Sequence, residues 1–186
     1  MVITVQLIKL STILLLLCLA SCSMVPTSDA IYHSRFNFEQ VSKYSIYQQN
    51  TEFAESQNLS RAIRNSIEIA IEKNMEQLNF EYADIEDADI IATYHIFTNG
   101  RDFSIYNKSV LFCEYCLKAN AWYKTDGDLN IRQGALIIDL VDPKKKRSIW
   151  RSTQALKIKT KDNSREVNEK IQLAVHSMLK QYPKIK

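Results

Sequence analysis

Two runs of strand length constrain the fold of this chain more than any other feature. Ala88–Phe97 (ADIIATYHIF) and Gly134–Val141 (GALIIDLV) carry apolar residues at both odd and even positions, so each run is hydrophobic on both faces. Such runs are typical of central strands, because a strand inside a covered sheet is buried on both faces. Asp142–Arg147 (DPKKKR) predicts a turn, since Pro143 presets its backbone angle. Ser148–Ile158 is then expected to return antiparallel to the preceding strand.

Two amphipathic helices are predicted on either side of these strands. Apolar residues recur every three or four positions from about Asn58 to Asn79, which is the period of one helix face. A second helix is predicted to begin where Asn163 can cap it and Glu166 completes a capping box, and to end before Pro183. Ser42–Gln48 is predicted to be a first strand. This order predicts an α+β fold: an antiparallel β-sheet with two amphipathic helices packed on one face.

The N-terminus has the organisation of a secretory signal peptide. Lys9 precedes an apolar run from Leu10 to Ala20. This run is too short to span a bilayer, which needs about 20 apolar residues. Its length and its small terminal residues are instead typical of a leader that is cleaved during export. Residues 1–21 are therefore predicted to be a signal peptide.

The end of the leader indicates where the chain is modified. Leu19–Cys22 (LASC) resembles the lipobox of bacterial lipoproteins, which implies cleavage before Cys22 and a lipid on its thiol. Cys18 would be lost with the leader. An ordinary cleaved signal is the alternative, but the charge, apolar run, small residues and cysteine occur in the order of a lipobox. Ser23, rather than an aspartate, favours the outer membrane of a Gram-negative envelope.

The remaining chain is expected to divide into a tether and one domain. Residues 22–35 are predicted to be the lipidated N-terminus and a flexible tether, and residues 36–186 a single α+β domain. The whole chain has a formal net charge of +3. The leader removes Lys9 and no acidic residue, so the mature charge is about +2, which does not indicate a nucleic-acid partner. The predicted partners are the membrane, through the N-terminal lipid, and envelope proteins or glycan.

Three segments resemble a known family, the lipoproteins of the domain-of-unknown-function 4136 family. They are Glu86–His95, Gly134–Ser152 and Met178–Pro183. The likeness extends from about Phe36 to the end of the chain. Members often carry a Gly-, Tyr- and Trp-rich stretch between the middle strands, whereas this chain has RDFSIYNKSVLFCEYC at residues 101–116. Because the family has no established activity, the resemblance implies a fold and an envelope location but no catalytic residues.

Cys113 and Cys116 are the thiols that remain after removal of the leader and lipidation of Cys22. An exported protein with one such pair is expected to oxidise it, so a structural disulfide is the favoured interpretation. Positions i and i+3 of a continuous strand are too far apart to bridge, so a disulfide predicts a turn at Glu114-Tyr115. This turn would interrupt Lys108–Lys124, which otherwise predicts one long strand or a hairpin. A thioredoxin-like site or a zinc site is the alternative.

The remaining polar residues do not define an enzyme class. His33, His95 and His176 are scattered singly, and no catalytic residue, metal site or cofactor is predicted. Asp139 lies within an apolar strand and is expected to face solvent rather than act in catalysis. The basic residues at the predicted turn are most simply a solvated tip, and the alternative is contact with an anionic surface. They are Lys144, Lys145, Lys146 and Arg147.

Three functional hypotheses remain open. The favoured one is a non-enzymatic, lipid-anchored envelope module that binds through the open face of its sheet. The second is a periplasmic thiol-disulfide protein that uses Cys113 and Cys116. The third is a carrier of a small envelope ligand held between the sheet and the helices.

Overall fold

One mixed sheet of six strands organises the part of the chain that the structure, a computed structural model, describes: residues 29–47, 59–97, 113–116 and 134–183. The strands lie side by side in the order β1-β6-β5-β4-β2-β3. Helix α1 connects β2 to β3, and helix α2 follows β6. The elements are β1 (Asp29–Tyr32), a 3-10 turn (Phe38–Gln40), β2 (Lys43–Ile46), α1 (Arg61–Gln77), β3 (Glu81–Tyr82), β4 (Ile90–Phe97), β5 (Ala135–Asp142), β6 (Arg147–Ala155) and α2 (Ser164–Leu179). The mixed α+β class predicted from the sequence is confirmed.

The two apolar runs form the centre of the sheet, as predicted. β4 and β5 are antiparallel neighbours, and each has a further strand on its other side. All residues of β5 are buried. β5 and β6 form the predicted antiparallel hairpin, with a register shift between Leu140 and Val141.

The sheet is not antiparallel throughout, and the prediction is wrong at one edge. β2 runs parallel both to β3 and to β4. The cause is α1, which lies between β2 and β3 in the chain. A helical connection returns the chain to the end of the sheet where the first strand began, so the next strand runs in the same direction.

Local capping interactions explain where the helices begin. The Ser60 side chain accepts a hydrogen bond from the Ile63 backbone N–H at 3.3 Å, at the start of α1. At the start of α2 the Asn163 side chain accepts from the Glu166 N–H, and the Glu166 carboxylate accepts from the Asn163 N–H. This is the predicted capping box, which satisfies two backbone donors that a helix N-terminus leaves open.

The main hydrophobic core joins the helices to alternate residues of the strands. The helix contribution recurs at the three- and four-residue spacing expected of one apolar face. The contribution of β4 and β5 alternates, because successive side chains of a strand point to opposite faces of the sheet. These core residues include Ile67, Ala70, Ile71 and Met75 of α1, Ile171, Ala174, Val175 and Met178 of α2, and Ala92, Tyr94, Leu136, Ile138, Leu140 and Trp150 of the sheet.

Part of the segment predicted to be a tether forms a strand. β1 lies inside the segment 22–35 that was predicted to be a flexible tether, and it pairs antiparallel with β6 from Asp29↔Thr153 to Tyr32↔Trp150. Backbone pairing satisfies the polar groups of residues 29–32 and orders them. The predicted signal peptide, residues 1–21, lies outside the described residues, as does most of the predicted strand Lys108–Lys124.

Candidate functional site

An open cleft of about 440 Å³ lies beside the β3 edge of the sheet. Carboxylates from α1 line one part, and aromatic rings from β2, β3 and the end of α1 line the rest. The lining residues are Tyr44, Glu72, Glu76, Phe80 and Tyr82, and we call this site the acidic aromatic cleft. Its composition combines negative charge with aromatic faces, which is the chemistry that recognises organic cations.

The end of α1 places Phe80 and Tyr82 in the cleft. The Asn79 N–H donates to the Glu76 carbonyl at 2.8 Å and the Phe80 N–H donates to the Met75 carbonyl at 3.0 Å. Asn79 has a φ of 62°, the left-handed conformation in which a helix ends in a Schellman motif, and asparagine is among the few non-glycine residues that adopt it readily. The chain therefore reverses at once into β3.

Tyr44 forms the buried wall of the cleft. The parallel register places Tyr44 beside Tyr82, and their rings meet edge to face with centroids 5.6 Å apart. Tyr44 is 3 % exposed, whereas Tyr82 is 50 % exposed. Burial, followed by the nearby Glu72, Tyr82 and Glu76 side chains, raises the pKa of Tyr44 to about 12. The phenol is therefore protonated at neutral pH.

Tyr82 also lines a second cleft, of about 230 Å³. Asp84 and Glu86 line it together with Ser45, Ile46 and Ile85. Each of the two clefts that Tyr82 lines also contains two carboxylates, so this edge of the sheet is acidic. The acidic aromatic cleft is lined by side chains of both α1 and the sheet.

The second prominent polar feature is a buried ion pair within the sheet. Asp139 on β5 and Arg151 on β6 are directly paired across the strands, and they are 0 % and 2 % exposed. Arg151 Nε donates to Asp139 Oδ1 and Nη2 donates to Oδ2, each at 2.8 Å. The Ser148 hydroxyl also donates to Oδ1 at 2.8 Å. The expectation that Asp139 faces solvent is therefore wrong: its charge is neutralised inside the sheet.

His95 on β4 belongs to the same electrostatic environment. It is buried, and burial followed by the Arg151 guanidinium holds the pKa of His95 well below its ordinary value. The imidazole is therefore neutral at neutral pH. No group of three or more His, Cys, Asp or Glu side chains in the described ranges is placed to hold a metal ion.

Cys113 and Cys116 are joined by a disulfide, with Cα atoms 5.2 Å apart. The Cys116 N–H donates to the Cys113 carbonyl at 3.2 Å, so the turn that such a bridge requires is present at Glu114-Tyr115. The Tyr115 ring contacts Tyr47 edge to face at 5.5 Å. It also packs beside Ile91 and Val141 of the central strands.

The predicted basic tip lies where β5 turns into β6. Asp142 Oδ1 accepts from the backbone N–H groups of Lys144 and Lys145 at 3.0 and 3.2 Å. Lys146 forms an ion pair with Glu114 of the disulfide turn. That hydrogen-bonded pair raises the pKa of Lys146. Local carboxylates thus neutralise part of the basic tip, and Arg147 begins β6.

The predicted site residues are not brought together into one site. Cys22, the predicted lipidation site, lies outside the described residues. The Cys113–Cys116 turn contacts the basic tip, whereas the acidic aromatic cleft contains none of the predicted site residues. Within the described ranges, neither helix has the length and hydropathy needed to span a bilayer.

Only some of the residues of the acidic aromatic cleft could be recognised from the sequence. Glu72 and Glu76 lie four positions apart on one helix face, and two aromatic residues follow the helix end. Tyr44, however, lies on β2, which precedes α1 in the chain. It reaches the cleft only because β2 pairs in parallel with β3, which places Tyr44 beside Tyr82. From the sequence alone, the helical period places these carboxylates on the polar face of an amphipathic helix, which is ordinarily solvated.

The fold is an α+β arrangement of two helices and an open, mostly antiparallel sheet. The chain belongs to the family described as "Domain of unknown function (DUF4136)", whose model matches residues 29–184. No curated protein is significantly similar to the chain.

Two solved structures are similar to the chain at low sequence identity. A DUF4136 family protein from Bacteroides thetaiotaomicron has a TM-score of 0.57 and 17 % identity, over 84 % of this chain and 95 % of that chain. A PDZ domain protein from Parabacteroides distasonis has a TM-score of 0.49 and 13 % identity, over 87 % of this chain and 36 % of that chain. The first of these similarities supports the fold, and neither identifies an activity.

Proposed function

We propose that this protein is a lipid-anchored lipoprotein of the cell envelope whose domain is a non-enzymatic interaction module. The observation that carries the proposal is the LASC sequence at the end of an apolar leader, with Cys22 as the lipidated residue. Acylation of that thiol anchors an exported chain to a membrane, and several acyl chains make the anchor durable. Ser23 in place of aspartate supports the outer membrane, facing the periplasm.

The short distance from the anchor to the sheet supports the same proposal. β1 begins at Asp29, seven positions after Cys22. Seven fully extended residues span at most about 25 Å. The β1 edge would therefore be held close to the membrane surface, while the β3 edge with the acidic aromatic cleft lies five strands away.

We also propose that both helices pack on one face of the sheet. Residues of α1 and α2 share one hydrophobic core with alternate residues of β4 and β5, which is the pattern expected for that arrangement. The central residues of the other sheet face, including Asp139 and Arg151, are also buried. Binding through an open sheet face is therefore less favoured than binding through the sheet edges and the cleft.

The basic tip is proposed to contact anionic lipid headgroups or envelope glycan. Lys144 carries no ion pair within the described residues, although Lys145 and Lys146 have carboxylate partners. Each basic residue near an anionic surface contributes about 1 kcal/mol. We expect a weak supporting contact here, with the lipid as the principal anchor.

Mass spectrometry of the protein extracted from its own membranes tests the proposal. We expect an N-terminal Cys22 that carries a diacylglyceryl group, and loss of both modification and membrane fractionation in a Cys22→Ser variant. Cys18→Ser is the matched control, since this cysteine lies within the leader and its replacement leaves the mature protein unchanged. A mature chain with an unmodified N-terminus would contradict the membrane assignment.

A further inference from the structure

We propose that the acidic aromatic cleft is a binding site for an alkylammonium group. The geometry of Tyr44, Glu72, Glu76, Phe80 and Tyr82 carries this inference. It deepens the proposed function by naming the chemistry of a ligand, but it does not depend on the lipid anchor or on the location of the protein.

The two carboxylates lack a cationic partner in the described part of the chain. Glu72 and Glu76 are one helical turn apart, and like charges at this spacing repel each other. The ion pairs formed by described residues involve other acids: Glu114, Asp139, Asp142, Asp162 and Glu169. A bound cation would relieve the repulsion between Glu72 and Glu76.

The aromatic walls favour an organic cation over a metal ion. The faces of tyrosine and phenylalanine rings attract ammonium groups, while their apolar surface accommodates an alkyl chain. Tyr44 is almost fully buried, lines the cleft, and its hydroxyl forms no hydrogen bond with the described residues. The phenol oxygen can accept a hydrogen bond from the ammonium N–H of a ligand in the cleft.

The size and openness of the site indicate what kind of amine it accepts. Its volume of about 440 Å³ lies within the range of roughly 300–1,000 Å³ for small-molecule sites. Tyr82 is half exposed at the rim, so a linear chain can enter from solvent with its ammonium group toward the carboxylates. Anions are excluded by the same two charges.

Calorimetric titration of the full chain, purified in a non-ionic detergent, with the diamine cadaverine tests the proposal. We expect saturable binding that weakens with added salt, because the interaction is between opposite charges. Glu72→Gln/Glu76→Gln should weaken binding about tenfold or more, and Tyr82→Ala about tenfold, through loss of a cation–π contact. Pentane-1,5-diol, which has the same length and no charge, should not bind.

Glu169→Gln is the matched control, since it removes one negative charge from an exposed position on α2. Its affinity for cadaverine should equal that of the wild type. Far-UV circular dichroism verifies the fold of each variant. If the double variant does not fold, Tyr82→Ala provides the test, because it changes only a half-exposed residue at the edge of the sheet. Equal affinity in wild type and in folded Glu72→Gln/Glu76→Gln would overturn the proposal, as would absence of saturable cadaverine binding.

A second titrant distinguishes the source of the ammonium group. Nα-acetyl-lysine methylamide presents the lysine side chain of a protein partner, whereas cadaverine represents a free diamine. Tighter binding of cadaverine supports a small-molecule ligand, and tighter binding of the lysine derivative supports a lysine-bearing partner. Both orders support the ammonium chemistry, and neither bears on the lipid at Cys22, which mass spectrometry tests separately.

Discussion

Arg151 holds Asp139 through two parallel 2.8 Å hydrogen bonds, from Nε to Oδ1 and from Nη2 to Oδ2, between adjacent central strands of the sheet. Both side chains are almost completely buried. A paired charge in such a place is tolerated because its partner and a hydroxyl satisfy it, whereas an isolated charge would be very costly. The pair therefore constrains which variants the sheet can accept.

Replacement of one member of this pair should destabilise the domain strongly. We expect Asp139→Asn to lower the free energy of unfolding by about 3–5 kcal/mol, because Arg151 is left as a buried, uncompensated charge. The double variant Asp139→Leu/Arg151→Met removes both charges and should recover most of that loss. Urea unfolding followed by circular dichroism measures both. A double variant less stable than the single one would show that the pair's charge is not the cause.

Stability should decrease as the pH falls below about 6.5 because of His95. Its folded-state pKa is well below the ordinary value, so below pH 6.5 the unfolded state binds a proton that the folded state does not. The expected contribution is about 1.4 kcal/mol per pH unit, lost until the pH reaches the folded pKa. His95→Gln should flatten this part of the stability curve in urea unfolding between pH 7 and 5.

His33→Gln is the comparison for the His95 variant. Burial, followed by Arg147, also lowers the pKa of His33, but by less than for His95. Its replacement should therefore flatten the curve over a narrower pH range. A His95→Gln variant with the same pH slope as the wild type would contradict this assignment.

The stabilising contribution of Asp89 should be lost in a lower pH range than that of His95. Burial opposes its ionisation, but hydrogen bonds from the Ser42 and Lys43 backbone N–H groups and the Ser42 hydroxyl outweigh burial, so the pKa of Asp89 is lowered. The stabilisation is present above the unfolded pKa of about 3.9 and is lost as the pH falls through the folded pKa. Asp89→Asn should thus be less stable than the wild type at pH 7.

The melting temperatures of the two proteins between pH 7 and pH 3 measure this effect. The difference between them should shrink as the pH falls below about 4, because the unfolded state then binds a proton at Asp89 that the folded state binds only at a lower pH. A difference that stays constant down to pH 3 would show that Asp89 acts through its shape rather than its charge.

The disulfide between Cys113 and Cys116 should have a structural role and should contribute only modestly to the free energy of unfolding. It closes a loop with a sequence separation of 3, and a loop this short stabilises by at most about 2 kcal/mol in the chain-entropy description. Without reductant, neither thiol should react with iodoacetamide. The Cys113→Ser/Cys116→Ser variant should retain the circular dichroism spectrum of the wild type.

A thiol-reductase assay separates this interpretation from the redox alternative. Catalytic reduction of insulin by the wild type, lost in the double serine variant, would favour a thiol-disulfide protein. If neither the wild type nor the double serine variant reduces insulin above the background rate, the result would favour a structural bridge.

Local sequence patterns predicted the individual helices and strands better than they predicted which elements lie side by side in the fold. The apolar runs of β4 and β5, the turn at Pro143 and the capping box of Asn163 with Glu166 depend on residues close in sequence, and each is found. Asp139 was misplaced because an acidic residue in a strand is ordinarily solvated. Its burial depends on Arg151, twelve positions later, whose role only the strand register reveals.

What the sequence by itself determined is therefore the two helices, the strands β2, β4, β5 and β6, and the central place of β4 and β5. Hydrophobic period and capping residues act over a few positions, so they are visible in the sequence. The tertiary structure alone decided that β2 lies parallel to β3 and β4, that Asp139 lies against Arg151, and that Tyr44 meets Tyr82 beside Glu72 and Glu76. These relationships arise from strand order and register, which depend on how the whole chain buries its apolar surface.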